Sequence, residues 1–402
     1  MTDIPTIAEL ERRLKVEFFD YQLYVFEHTV EMDRVNPRIC LYHRTGAGKS
    51  VTALATLALW GYQEAVVIAP PSTHMAWQET AIKLGMVITT MSHALFRSKR
   101  TKLQKDVPIV ADEVHMFGGQ GKQGWSKLDR YGQHLKAPII LASATPNYND
   151  AERVYCIGHI LHPDKYSGGY IAFLYRECET EENPFSRTPN VSGFINYDDA
   201  EQYLAAMENV FYLPDELVYS IDEKWISEYV PSETRSYGYN PWKHRMIASQ
   251  IEDKHTRIYQ SFVTENGWLA ATTSTMLRRL IHGTSGPVLI FVNHSTIAEV
   301  VLKTLADVIG SERVRLVTGK SSLAEKNSAV EAFNSGRLKV LIGTSTLATG
   351  TDGMDKVCDH LIILDDTEDD AQRRQLIGRI MPRGASSDTS AKRVTRFNIK
   401  SY

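Results

Sequence analysis

Short β-rich runs separated by helical stretches occur in two blocks of this chain, and that alternation restricts its fold more than any other feature. RICLYH, EAVVIAP, VITT, VPIVADE and APIILASAT fall within residues 37–150; PVLIFVN, VRLVTG, KVLIGTS and DHLIILDD follow after about residue 286. Strands alternating with helices are the pattern of βαβ units, in which a parallel sheet is covered by its crossover helices. The 402 residues leave room for two such cores, because single hydrophobic cores stop growing at about 250–300 residues. The expected organisation is α/β: a first parallel-sheet lobe over 1–165, an insertion over 166–270, mixed and largely helical, and a second lobe over 271–402. The intervening stretch is rich in aromatics (Tyr197, Tyr203, Phe211, Tyr212, Trp225, Tyr229, Tyr237, Tyr239, Trp242) and carries the acidic run ECETEEN. Those aromatics could stack on bases, but an insertion of that length needs a small core of its own to hold them, which is the favoured reading.

Composition excludes several classes. With 43% hydrophobic and 23% charged residues the chain reads as globular, and no apolar run approaches the roughly 20 residues of a membrane span. The opening MTDIPTIAELERR lacks the apolar segment of a secretory signal, so a cytoplasmic protein is expected, without membrane contact. Cys40, Cys156, Cys178 and Cys358 form no CxxC pair, which points to reduced thiols. Cys156, His159 and His162 share helical spacing, but an amphipathic helix explains them better than a metal site. The net charge of −3 argues against binding nucleic acid by bulk electrostatics, though a local basic groove is compatible with it. One such run is RSKRTKLQK, Arg97 to Lys105, for which a solvated face and a backbone contact weigh equally.

Two motifs carry chemistry. HRTGAGKS follows a strand and opens a helix, with the glycine, lysine and serine of a phosphate-binding loop at their required spacing and His43 where the strict pattern has glycine. Thr45, Gly46, Ala47 and Gly48 would line an anion nest of backbone N–H groups. Lys49 would reach the β- and γ-phosphates of ATP, and the Ser50 hydroxyl would ligate Mg²⁺. The second motif is VPIVADEVH, an apolar strand ending in adjacent carboxylates. Asp112 is placed to hold Mg²⁺, and Glu113 to orient or deprotonate the attacking water. Two buried acids side by side are costly without a cation, so a purely structural reading is poor.

With these motifs in hand the chain resembles superfamily 2 helicases and translocases of the DExH type, including Swi/Snf-like, XPB-like and phage UvsW-like members, which suggests a phage or viral source and host cytoplasm as location. FFDYQLYVFEH is similar to the Q-motif, implying that Tyr21 and Gln22 meet the adenine. VVIAPPSTHMAWQ and ITTMSHALF resemble motifs Ia and Ib, implying nucleic-acid contacts near Pro70 and Thr89. SATP resembles the coupling motif, with Ser143 and Thr145. In the second lobe LIFVNH, GTSTLATGTD and QLIGRIMPRG resemble motifs IV, V and VI. They imply Thr344 at a nucleic-acid phosphate, Gly350 and Asp352 near the nucleotide, and Gln375 and the finger Arg379 at the γ-phosphate. Pro382 stands where a second arginine is usual, displacing Arg383 by one. The resemblance implies two RecA-like lobes, ATP and Mg²⁺ as cofactors, and movement along DNA, double-stranded or branched; protein partners are not indicated. Alternatives are an RNA helicase of the same superfamily, a viral packaging-type ATPase, and a non-catalytic clamp that only binds nucleic acid.

Overall fold

The computed structural model describes residues 4–30, 32, 37–118, 122–134, 137–144, 151–214, 219–229, 254–345, 353–366, 370–382 and 392–400. The chain divides into two compact units, Met1–Glu216 and Leu217–Tyr402.

The first unit begins with α1 (Ile7–Leu14) and α2 (Asp20–Val30). Thr6 and Glu9 cap α1 reciprocally, each side chain accepting the other's backbone N–H, which satisfies two donors the helix start would leave bare. The sheet follows as β1 (Arg38–His43), β2 (Glu64–Ile68), β3 (Val87–Met91), β4 (Ile109–Asp112) and β5 (Ile139–Ser143). Between them lie α3 (Lys49–Leu59), α4 (His74–Leu84), α5 (His93–Arg97) and α6 (Gln123–His134). Then come α7 (Ala151–Leu161), α8 (Gly169–Glu177), β6 (Cys178–Glu181), β7 (Asn190–Phe194), α9 (Ala200–Ala205) and β8 (Val210–Leu213). Strand order is β3-β2-β4-β5-β1-β8 and every pairing is parallel. Alternate residues of each strand feed opposite faces. Ile39, Leu41, Val67 and Ile140 pack under α1 to α4, while Cys40, Tyr42, Ile68 and Leu141 pack under the later helices.

The second unit contains β9 (Ile221–Ser227), α10 (Lys254–Phe262), α11 (Ala271–His282), β10 (Val288–Val292), α12 (Ser295–Ile309) and β11 (Val314–Val317). It continues with α13 (Leu323–Asn334), β12 (Val340–Gly343), β13 (His360–Asp365), α14 (Asp370–Gly378) and β14 (Arg393–Lys400). Its sheet, β11-β12-β10-β13-β14-β9, is parallel throughout.

The two parallel sheets agree with the sequence expectation, but the insertion does not stand apart. Residues 166–270 divide between the units. Tyr166, Phe173, Phe194 and Tyr203 join the first core, and β8 pairs with β1. Farther on, β9 pairs with β14, and Phe262 and Leu269 join the second core. Most of the described rings of that stretch are thus explained by packing into existing cores, whereas Trp225 on the edge strand β9 is exposed. Tyr237, Tyr239 and Trp242 lie outside the described residues. The three helical-spaced candidates have separate partners: Cys156 is buried, His159 faces Asp129, and His162 bonds the Glu208 carbonyl.

Candidate active site

Because the strands of the first sheet are parallel, His43, Ile68, Met91, Asp112 and Ser143 all end on one edge. That carboxyl edge is where open α/β sheets bind ligands. The loop after β1 carries Gly46 at φ 81° and Gly48 at φ 70°, left-handed conformations that disfavour any side chain. Gly48 is the cap before α3, so the first-turn N–H groups of the helix start at the end of the loop. A Cβ at Gly48 would also come within 3.2 Å of Gln22 Nε2. Thr45, Gly46 and Ser50 are half-buried and Ala47 is buried. Lys49 Nζ donates to the carbonyls of His43 at 3.1 Å and Arg44 at 3.2 Å, placing the ammonium at the loop's mouth.

Tyr21 and Gln22 brace this loop from behind. The Tyr21 hydroxyl donates to the Ala47 carbonyl at 3.1 Å, and burial pushes its pKa up to about 12, so it remains a donor. Gln22 is buried; its Oε1 accepts the Phe19 N–H at 3.1 Å and its Nε2 donates to Thr52 Oγ1 at 2.9 Å. Both polar ends of Gln22 are therefore engaged with the protein, whereas the resemblance had set this pair against the adenine. His43, at the strict pattern's glycine position, is buried; burial first and the Lys49 charge second pull its pKa down to about 3. A neutral imidazole adds no charge to the loop.

Asp112, at the tip of β4, is 7% exposed and accepts Trp77 Nε1–H at 3.2 Å and the Glu113 N–H at 3.0 Å. Burial raises its pKa, the neighbouring Glu113 charge adds to that, and Lys49 opposes it. Glu113 adopts φ 50°, a left-handed conformation that costs a non-glycine residue roughly 1–3 kcal/mol and tends to persist at functional sites. Its Oε2 accepts from Ser143 Oγ at 3.3 Å and lies 3.4 Å from His115 Nδ1, which in turn is 3.2 Å from Ser143 Oγ. This three-residue network joins the acidic motif to the end of β5. The donor set suits Mg²⁺, which binds through one or two carboxylates together with hydroxyl, water and phosphate oxygens. Asp112 and Ser50 are the residues that would hold it.

Other expected positions fall elsewhere. Pro70 is buried and its carbonyl accepts both the N–H and the hydroxyl of Thr73, each at 2.9 Å; beside it Pro71 is exposed and Ser72 to His74 are half-buried. Thr89 is exposed in the middle of the edge strand β3, away from the loop and the acids. In the second unit Thr344 is buried at the end of β12, with its N–H on the Val317 carbonyl at 3.2 Å. Gln375 lies on α14 and Arg379 just beyond it, both buried. Thr145, Gly350, Asp352 and Arg383 lie outside the described residues.

Sequence reasoning missed Trp77 and His115 as partners of the two acids, although both stood in quoted motifs. It also missed a cluster at the carboxyl edge of the second sheet. Buried Asp365 accepts the His294 N–H at 2.9 Å and pairs with His294 Nδ1 at 2.6 Å, while the far nitrogen of that ring meets His255. The adjacent strand ends LIFVNH and LIILDD were the available signal.

Residues 272–384 match the helicase conserved C-terminal domain. A putative ATP-dependent RNA helicase, L538 of Acanthamoeba polyphaga mimivirus, is 23% identical over 384 residues, covering 89% of this chain and 83% of the relative. Among solved structures, S. cerevisiae Dbp5 bound to RNA and ADP BeF3 is similar with a TM-score of 0.58 at 17% identity, over 98% of this chain and 88% of that one. The Mycobacterium smegmatis helicase Lhr bound to ssDNA and AMP-PNP gives 0.53 at 14% identity, over 94% of this chain and 45% of Lhr. The fold is two RecA-like lobes.

Proposed function

Starting from an ATP-hydrolysing enzyme with a helicase C-terminal domain on two RecA-like lobes, we propose that its polymer is RNA and that it is an ATP-dependent RNA helicase. The observation that carries this is the likeness to a relative named as an RNA helicase along 89% of the chain, across both units. That favours the RNA alternative over the DNA translocase suggested by the DEVH run and the motif resemblances. DNA remains the second reading, supported by those same motifs.

In this reading the backbone N–H groups of residues 46–50 cradle the β- and γ-phosphates, and Lys49 moves from the His43 and Arg44 carbonyls onto them. Ser50 and Asp112 would hold Mg²⁺, which would supply neutralisation of the phosphate charge. Trp77 fixes the Asp112 carboxylate. Glu113 orients or deprotonates the attacking water, and Ser143 and His115 hold its carboxylate in place. Because Ser143 ends β5, a shift of that strand end would be felt at Glu113, which gives the coupling motif a physical path. Gln375 and Arg379 of the second unit are assigned to the transferred phosphoryl group, where an arginine is worth about 10³–10⁵ in rate.

The test is strand displacement. We expect the full chain to release a labelled strand from an RNA duplex with a single-stranded overhang, only with ATP and Mg²⁺. Release from DNA duplexes alone would transfer the protein to the DNA reading.

A further inference from the structure

Between β3 and β4, Arg97 to Lys105 read RSKRTKLQK, five basic residues with no acidic one, in a chain of net charge −3. The loop is built around a cation. Lys127 of α6 donates from Nζ to the carbonyls of Phe96 at 2.6 Å, Ser98 at 2.7 Å and Thr101 at 2.9 Å, and lies 5.1 Å from the centre of the Phe96 ring. Thr101 Oγ1 donates to the Leu95 carbonyl at 2.7 Å, and the Leu103 N–H to the Tyr131 hydroxyl at 3.0 Å. Three carbonyls are thus turned inward on one ammonium, and the loop is tied at both ends. Its outer face carries Lys99, Arg100, Lys102 and Lys105, all exposed and, among the described residues, in no ion pair.

Leaving four cations unneutralised side by side costs repulsion, and holding their loop rigid removes the entropy that ligand binding would otherwise have to overcome. The loop borders a cleft of about 200 Å³ that lies over β2 and the edge strand β3, lined by Glu64 and Val66, by Val87, Thr89 and Met91, and by Lys102 and Gln104. Thr89, which the motif resemblance assigned to nucleic acid, therefore lies beside this ridge. Met91 ends at the carboxyl edge of the sheet, so the cleft leads away from that edge over β2 and β3, with Glu64, among the described residues, the one carboxylate in its wall.

We propose that Lys99, Arg100, Lys102 and Lys105 form a phosphate-binding track for single-stranded RNA, extending from the carboxyl edge of the first sheet along β3. The track rests on the reading of the chain as an RNA helicase. Point charges without base-reading groups bind any sequence, and each contact releases counterions.

The test is anisotropy of a labelled 30-nucleotide RNA against the full chain across a salt series. Three proteins are compared: wild type, K99A/R100A/K102A/K105A, and the charge-keeping K99R/K102R/K105R. Each phosphate contact on a single strand adds about 0.7 to the slope of log K against log salt. The alanine variant should lose roughly 2 to 3 of that slope and bind about tenfold or more weakly at low salt, while the arginine variant matches wild type. Melting temperature and RNA-free turnover should be unchanged in both. Wild type that binds RNA while the alanine variant matches it in slope and affinity overturns the track alone. Wild type that fails to bind RNA overturns the functional reading and the track with it.

Discussion

At the scale of single residues, the account turns on which polar atoms meet. Lys49→Ala deletes the ammonium at the mouth of the loop, so ATP turnover should fall to background while the fold is kept; a variant with wild-type turnover would remove Lys49 from the site. Glu113→Gln should still bind ATP yet hydrolyse it about 10² or more times slower, the scale of a lost general base. Loss of binding together with hydrolysis would mark Glu113 as a structural residue. Ser143→Ala removes the hydroxyl that Glu113 accepts at 3.3 Å and that lies 3.2 Å from His115. It should lower kcat more mildly than Glu113→Gln, with KM for ATP nearly unchanged, because it acts through another side chain. If KM rose and kcat held, the network would serve binding instead.

At the scale of elements, the loop between β1 and α3 is held by its own backbone and by α2. Gly48→Ala combines a left-handed φ of 70° with a 3.2 Å approach to Gln22 Nε2, so it should lower the melting temperature and raise KM for ATP together. The backbone strain alone is worth about 1–3 kcal/mol. A Gly48→Ala protein that is stable and binds ATP normally would show that the loop relaxes freely. The loop, the acidic strand and nine of the twelve strands in the two main sheets were legible because apolar runs and glycine spacing are local signals. The other three, β8, β9 and β14, were not. IDEKWIS and RVTRFNIK are interrupted by charges on exposed or half-covered positions, and β9 is an edge, where charged residues are the usual protection against stray pairing. Gln22 was identified as a site residue through the resemblance, but its bracing of the phosphate loop was not foreseen. Its contacts with Thr52 and Gly48 span about 30 residues, and such long-range pairing leaves no trace in local spacing.

For the whole molecule, buried histidines contribute to the response to acid. His360 is clamped between Thr284 Oγ1 at 2.9 Å and Thr395 Oγ1 at 2.8 Å, and burial pulls its pKa down to about 4. Burial lowers His93 to about 4 as well, against an unfolded value of about 6.5. The unfolded chain takes up these protons first as pH falls. Their contribution to stability is therefore complete above pH ~6.5 and is lost on descent through about 4. Melting temperatures from pH 8 to 4 should fall below ~6.5, and His360→Gln should flatten that fall by up to one proton's worth; an unaltered pH profile would mean that the ring already titrates normally in the folded state. The central claim, an ATPase driven by RNA, is tested most directly by turnover of the full chain with ATP and Mg²⁺ at fixed salt, comparing RNA and DNA strands of equal length and sequence. The account predicts strong stimulation by RNA with DNA weak, and none with either polymer in Lys49→Ala; stimulation by DNA with RNA inert would contradict it.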